Sequence, residues 1–184
     1  MSPSSQLTPS AAQVLRDGTA VGSWVLDASR SQVQLKTKSM WGLAPVKGEF
    51  RQVSGTGTVS PAGEATGTVT VAAASVDTKN KKRDDHLRSA DFFDVANHPD
   101  ITFTVDQVRP SGTGVTVSGQ LSVRGRTRPA SFDAQVSRID GDEVHLDGDL
   151  LVDRAGFGLT WSPMGMASLN NTITVHAVFT RQAQ

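Results

Sequence analysis

The sequence contains no cysteine, and its 18 Lys and Arg residues are balanced by 18 Asp and Glu residues. The absence of cysteine excludes disulfides, thiolate nucleophiles and Cys-ligated zinc. The absence of a basic excess removes the usual electrostatic basis for binding nucleic acid. No apolar run approaches the roughly 20 residues that a membrane-spanning helix needs.

The first 20 residues, MSPSSQLTPSAAQVLRDGTA, also lack the basic start and the long apolar run of a secretory signal. We therefore expect a soluble, cytoplasmic protein without stable membrane insertion. Because this stretch is rich in Ser, Pro, Ala and Thr, we interpret residues 1–20 as a flexible N-terminal extension, with a helical turn over residues 11–16 left open. The remaining residues, 21–184, suit a single domain.

From Trp24 onward, apolar and polar residues alternate with a period of two in eight segments. Such alternation is typical of half-buried antiparallel strands. Turn sequences such as Ser60-Pro61-Ala62-Gly63 and Asp140-Gly141-Asp142 lie between segments, which makes a meander the simplest topology. The segments are 24–27, 32–36, 69–74, 101–106, 115–124, 130–137, 144–152 and 173–180.

A meander hides its apolar face either in a two-sheet sandwich or by closing into a barrel, and the alternation alone does not decide. Small residues occupy several of the alternating positions that would face inward, and they favour the barrel. They would leave open volume in its interior, and an eight-stranded barrel has room for one ligand. Glycines inside strands also mark the bends that closure needs. The alternative is that the small residues only ease tight sheet packing. They are Ala73, Gly119, Ala130, Ala134, Gly148 and Ala177.

The stretch RDDHLRSADFFD, residues 83–94, interrupts the strand pattern. Asp84 or Asp85 is suited to cap a helix, and Pro99 prevents a helix from continuing. We predict a helix of two to three turns over one open end of the barrel, acting as a structural plug, as a gate, or as both. The apolar residues expected to turn inward are Leu87, Phe92 and Phe93.

Asp84, Asp85 and His86 are the residues of this stretch that suggest catalysis or metal binding. Consecutive residues at a helix start do not converge on one point, so we favour local hydrogen bonds that fix the helix. The alternative is an enzyme that acts on an apolar substrate through these three residues. The other histidines are interpreted as scattered surface or loop residues: His98, His145 and His176.

Apolar residues on the inward phase and in two apolar loops are candidates for contact with an apolar ligand. The loops, Met40–Leu43 and Trp161–Met166, fit a cavity rim, because Met and Trp accept varied apolar partners. Lys79 to Arg83 form either a solvated loop or a basic rim that attracts anionic lipid headgroups. The candidate set is Leu35, Met40, Trp41, Phe50, Val71, Phe92, Phe93, Phe103, Leu121, Phe132, Ala134, Leu150, Phe157, Trp161, Met164 and Ala177.

Five blocks carry a resemblance to a known family. They are Gly22-Ser23-Trp24-Val25-Leu26-Asp27 with Ser29, Ser31 and Val33, then Val46-Lys47-Gly48-Glu49-Phe50, the run from Val76-Asp77-Thr78 to Ile101-Thr102-Phe103, Val117-Ser118-Gly119-Gln120-Leu121 with Gly125, Thr127 and Pro129, and Asp153-Arg154 followed by Phe157-Gly158-Leu159. In order and spacing they are similar to the YceI-like family of lipocalin-like, polyisoprenoid-binding proteins, and the likeness extends from Trp24 to about Phe179. The chain departs at Lys38-Ser39, where the family often has a Lys-His pair.

The resemblance implies an all-β fold, an antiparallel eight-stranded lipocalin-like barrel with a short helix covering one end. It also implies a long apolar pocket that binds an isoprenoid or other long-chain lipid, either a polyisoprenoid or an isoprenoid quinone. It implies no catalysis, no metal and no cofactor, and we expect no nucleic-acid partner. A homodimer is left open. The remaining alternative is a ligand-free interaction or stress-response domain.

Overall fold

The computed structural model describes residues 9–162, 164 and 167–183. Over these ranges the chain forms two α-helices and eleven β-strands. None of the helices in them is both long enough and apolar enough to cross a bilayer. The helices are α1 (Ala11–Arg16) and α2 (Lys81–Arg88). The strands are β1 (Gly22–Leu26), β2 (Gln32–Ser39), β3 (Ala44–Phe50), β4 (Val53–Val59), β5 (Ala65–Ala72), β6 (Val76–Asp77), β7 (Asp100–Ser111), β8 (Gly114–Val123), β9 (Arg126–Ile139), β10 (Glu143–Asp153) and β11 (Asn170–Arg181).

The strands form one antiparallel sheet that closes on itself. β11 pairs with β10 along one edge and with both β1 and β2 along the other. The closed ring has eight strand positions, because β1 with β2, β3 with β4 and β5 with β6 each occupy one position in two segments. β7 to β11 supply the other five as a meander. The predicted all-β, antiparallel eight-stranded barrel is therefore confirmed, and the sandwich is excluded.

The alternation pattern located eight of the strands but missed β3, β4 and β6. β3 contains Pro45 and Gly48, and β4 reads VSGTGTV, so neither carries a regular series of large apolar residues. β6 has only two residues. These segments are held mainly by their backbone ladders, which leave no signature in side-chain hydrophobicity.

The bend between β1 and β2 is fixed by a polar turn. The Asp27 carboxylate accepts hydrogen bonds from the Ser29 amide at 3.0 Å and the Ser29 hydroxyl at 2.6 Å, and Arg30 Nε donates to it at 2.8 Å. The Arg30 guanidinium also forms two parallel bonds of 3.1 Å to Glu143, at the start of β10. The turn thereby joins the first position of the barrel to a strand that follows it by more than a hundred residues.

We predict that the protein loses stability in acid through this turn. Hydrogen bonds from Ser29 and then Arg30 lower the pKa of Asp27 from 3.8 to about 2, and Arg30 followed by His145 lowers the pKa of Glu143 from 4.5 to about 2. A lowered carboxyl pKa contributes stability that is fully present above the ordinary value and is lost as the pH falls toward the folded-state value. The free energy of unfolding should therefore fall between about pH 4.5 and pH 2, and less steeply in Asp27→Asn. Urea titrations at several pH values measure this, and equal slopes in the two proteins would contradict it.

α1 packs on the end of the barrel that we call the lower end. Its Ala11 and Val14 are buried, the first against Val115 and the second beside Trp24. Trp24 Nε1 donates to the Ala20 carbonyl at 2.9 Å, which fixes the chain between α1 and β1. The helical turn over residues 11–16, which the sequence alone did not decide, is thus present. Residues 1–8 of the predicted extension lie outside the described residues.

Candidate functional site

An apolar cavity of about 320 Å³ lies inside the opposite, upper end of the barrel. This volume is within the range of small-molecule binding sites. Strands at all eight positions of the ring contribute to its wall, whereas its polar lining comes from the strand ends and from the segments above them. The wall residues are Val33, Leu35, Phe50, Val69, Val71, Ile101, Phe103, Leu121, Val123, Phe132, Leu150, Val152, Ile173 and Val175.

α2 lies over this cavity and is locked to the barrel through Thr78. The Asp84 carboxylate is buried and accepts hydrogen bonds from the Thr78 amide at 2.9 Å and the Thr78 hydroxyl at 2.6 Å. Arg83 Nε donates to the same hydroxyl oxygen at 2.7 Å. Leu87 then faces the cavity, as the sequence predicted. The short helix covering one end of the barrel is therefore observed.

The helix begins earlier than predicted. Its N-cap is Asn80, whose side chain accepts a hydrogen bond from the Arg83 amide at 3.0 Å, and its first residue is Lys81. The prediction that Asp84 or Asp85 caps the helix was wrong. Asn is as good an N-cap as Asp, and it precedes the acidic pair by one helical turn.

Asp84, Asp85 and His86 do not form a common site. Asp84 is held by Thr78, and Asp85 pairs at the surface with Lys81 at 2.7 Å. The His86 ring instead faces the aromatic residues above the cavity, with its Nε2 3.2 Å from Asp91 Oδ2. The expectation of local hydrogen bonds that fix the helix is confirmed. The arrangement gives no support to the enzyme that was the alternative.

His86 belongs to an aromatic cluster with Phe92 and Trp161. Its ring centroid lies 4.2 Å from that of Trp161 and 5.3 Å from that of Phe92, both in edge-on arrangements. All three side chains line the cavity. The cluster connects α2 to the segment between β10 and β11, and so it forms part of the roof of the cavity.

We predict that His86→Ala lowers the free energy of unfolding by about 1 kcal/mol, because two edge-on aromatic contacts are lost. Chemical denaturation measures the change. His98→Ala is a suitable control, since it replaces the same residue type away from this cluster. A variant with unchanged stability that had lost turnover of a substrate would favour the enzyme instead.

Arg154 is the main polar residue of the site that the sequence did not single out. Its side chain is buried, and it donates to four backbone carbonyls, those of Leu159, Trp161, Ala167 and Ser168. Its guanidinium carbon also lies 5.5 Å from the centroid of Phe92. Burial lowers the pKa of this guanidinium. Arg154 thus holds the segment that carries Trp161, and only the Asp153-Arg154 block of the resemblance pointed to it.

The glycine of the Val46–Phe50 block permits the close approach of β6. A Cβ at Gly48 would lie 2.8 Å from Thr78 Cγ2 and 3.2 Å from the Asp77 carbonyl oxygen. A side chain at this position would therefore push away the threonine that holds α2. Gly48 contributes to the site through backbone packing, without contact with the cavity.

Eleven of the sixteen candidate residues line the cavity, including the four inward residues Phe50, Phe103, Phe132 and Leu150. That the eleven contact a ligand stays a prediction. Met40, Trp41 and Met164 are exposed and do not line it. Ala134 and Ala177 are buried in the packed core outside the cavity. Met166, in the second predicted apolar loop, lies outside the described residues. The eleven are Leu35, Phe50, Val71, Phe92, Phe93, Phe103, Leu121, Phe132, Leu150, Phe157 and Trp161.

The cavity exists, but the prediction that small inward residues create its volume was wrong. Among the described residues that line the upper cavity, none is one of the six small inward residues. Ala134 packs against Ala11 of α1, and a Cβ at Gly148 would lie 2.9 Å from the Phe132 ring. The small residues ease packing, as the alternative proposed. The open volume comes from the width of the barrel between large apolar side chains.

A second apolar cavity of about 170 Å³ lies near the lower end. Val14 and Leu15 of α1 contribute to its lining. Phe103 and Phe132 pack edge to face with their centroids 5.8 Å apart and contact the apolar clusters on both sides. This aromatic pair divides the interior of the barrel into an upper and a lower part.

His145 and His176 lie close together, so the interpretation of the histidines as scattered does not hold for these two. His145 of β10 and His176 of β11 have ring centroids 6.0 Å apart, because the register places Asp147 opposite His176. They hydrogen-bond to Glu143 and Asp147 respectively. No group of three or more His, Asp or Glu in the described ranges is arranged to hold a metal ion.

Comparisons with known proteins agree on the fold. The family model described as YceI-like domain matches residues 24–180. The protein YceI of Escherichia coli O17:K52:H18 is 37% identical over 98 residues, which are 52% of this chain and 51% of that protein. The aligned region thus spans about half the length of this curated relative.

Two solved structures extend the likeness to most of the chain. BcnA of Burkholderia cenocepacia has a TM-score of 0.75 at 24% identity, covering 83% of this chain and 98% of that one. A polyisoprenoid binding domain from Saccharophagus degradans has a TM-score of 0.68 at 19% identity, covering 86% and 98%. At these identities the likeness establishes a shared fold.

Proposed function

We propose that this chain, which belongs to the YceI-like family, binds a long apolar lipid of the isoprenoid type inside its barrel and carries or stores it without chemical change. The observation that carries the proposal is the upper cavity, with its wall of Val, Leu, Ile and Phe. An apolar chain gains about 0.8 kcal/mol for each methylene that leaves water, less several kcal/mol for ordering the chain.

The distribution of polar residues indicates how such a ligand lies. The polar side chains of the lining belong to the upper end, and Lys38, Arg83 and Asn171 are among them. A ligand with one polar end would place that end there and its tail between the strands. A polyisoprenoid and an isoprenoid quinone both have this form.

The similar domain of Saccharophagus degradans is described as a polyisoprenoid binding domain. That description supports the ligand class proposed for this chain, together with the chemistry of the cavity wall. Binding is favoured over catalysis because the polar groups near the cavity serve as structural links. Arg154 satisfies backbone carbonyls, and Asp84 satisfies Thr78.

Native mass spectrometry tests the proposal. The protein is incubated with a long-chain prenol, freed of excess ligand and measured intact, and retained lipid is then extracted and identified. We expect a one-to-one complex and recovery of the intact prenol. A folded protein that remains free of ligand would contradict the proposal and favour the interaction domain, and recovery of a chemically altered prenol would favour an enzyme.

A further inference from the structure

The exposed apolar side chains of this protein are concentrated around the mouth of the upper cavity. Seven large apolar residues in the described part of the chain are exposed, and six of them lie in two segments at this end. Met40, Trp41 and Leu43 form the tip between β2 and β3, and they are 54%, 65% and 82% exposed. Trp161, Met164 and Leu169 lie between β10 and β11. The seventh residue is Leu151, on the wall of the barrel.

The two segments form one surface, which we call the mouth surface and define by these six residues. The Ser168 amide donates to the Lys38 carbonyl at 2.9 Å, which joins the second segment to the end of β2. Arg154 holds the same segment from inside through the Trp161 and Ser168 carbonyls. The apolar side chains therefore project from an anchored backbone.

The backbone of the tip is also unusual for bulky residues. Met40 and Trp41 have φ angles of 51° and 54°, in the left-handed region that favours Gly and Asn. Such conformations are costly and often mark functional segments. At the tip they hold two large apolar side chains in water, where the fold gains nothing from them.

The charge around the tip is positive. From Lys36 to Lys47 the sequence KTKSMWGLAPVK contains three lysines and no acidic residue. Lys36 and Lys47 face each other across β2 and β3, and among the described residues neither takes part in an ion pair. Tryptophan beside lysine is the combination that suits the boundary of an anionic bilayer, where the ring is half-buried and the ammonium meets phosphate.

We propose that the mouth surface docks on an anionic lipid bilayer, with the upper cavity opening toward the membrane. The inference rests on the proposed function in one respect, since a long apolar chain should pass between bilayer and cavity without crossing water. The six apolar side chains enter the headgroup region, and the lysines bind lipid phosphates. The docking is peripheral, and salt weakens it.

Vesicle flotation tests the docking. Wild-type protein should float with vesicles of phosphatidylglycerol and phosphatidylcholine in equal parts and bind about tenfold more weakly to phosphatidylcholine alone. The variant Met40→Ser/Trp41→Ser/Leu43→Ser should lose flotation. Leu151→Ser is the matched control, because Leu151 is 79% exposed but lies outside the mouth surface, and it should float like wild type. Lys36→Gln/Lys47→Gln should reduce binding to the anionic vesicles and the sensitivity of that binding to salt.

Wild-type protein that does not float with either vesicle overturns the proposal. So does a wild-type dimer in sedimentation experiments that becomes a monomer in the tip variant without any vesicle binding, which would assign the surface to a second copy of this chain. The outcome is separable from that of the proposed function, because prenol binding is measured on wild-type protein without vesicles.

Discussion

Arg154→Lys is expected to lower the free energy of unfolding by about 3 kcal/mol, the largest single effect on stability that the structure predicts. Lysine keeps the charge but cannot donate to the four carbonyls that the guanidinium satisfies, those of Leu159, Trp161, Ala167 and Ser168. Buried and half-buried carbonyls that lose their partner are costly, and the lysine ammonium would remain buried beside Phe92. For a chain of this size the melting temperature should fall by about 6–12 °C.

Thermal and urea denaturation measure this effect. Arg109→Lys is the matched control, since Arg109 is exposed on β7, and its stability should change by less than about 0.5 kcal/mol. If Arg154→Lys were as stable as Arg109→Lys, the four guanidinium hydrogen bonds would not be what holds the segment between β10 and β11.

Val175→Trp is expected to weaken the binding of a long-chain prenol by about a hundredfold. Val175 lines the upper cavity from β11, so the larger ring would occupy volume that the lipid tail needs. Displacing three or four methylenes at about 0.8 kcal/mol each corresponds to a loss of about 3 kcal/mol, or two orders of magnitude in affinity. Short prenols should be affected much less than long ones, because they leave part of the cavity empty.

Val25→Trp is the matched control for this prediction. Val25 lies on β1 between the buried residues Trp24 and Leu26, so it faces outward and lines neither cavity. The measurement is a fluorescence or calorimetric titration of both variants with the same prenols. Equal loss of affinity in both would point to general damage to the barrel, and no loss in Val175→Trp would place the ligand elsewhere. Ala134 and Ala177, which the sequence predicted to contact the ligand, would be unsuitable for such a substitution, because they lie in packed core, where a larger residue would strain the fold.

The barrel wall was predictable because inward residues repeat with a period of two. Phe103, Phe132 and Leu150 lie on long strands where this repeat is regular, and they were placed in the cavity correctly. Phe50 could be placed because it ends the Val46–Phe50 block of the family resemblance. The alternation of apolar and polar residues did not reveal β3 itself. The fold and the inward face of α2 were also predictable from local sequence signals.

The remaining features depend on contacts between distant segments, which a local pattern does not contain. Arg154 is charged, and its burial becomes understandable only when the carbonyls of residues 159–168 fold around it. Met40 and Trp41 lie at the cavity rim as the sequence predicted, but both side chains are exposed and do not line the cavity. The small inward residues were predicted to border open volume, because the sequence pattern does not show which neighbouring side chain fills the space beside each of them.

A titration of wild-type protein with prenols of increasing chain length tests most directly whether the upper cavity binds an isoprenoid tail. If the upper cavity binds an isoprenoid tail, affinity should rise with each added isoprene unit until the cavity is full and then level off. The same affinity at every length, or no binding at any length by protein whose melting curve shows that it is folded, would contradict the claim.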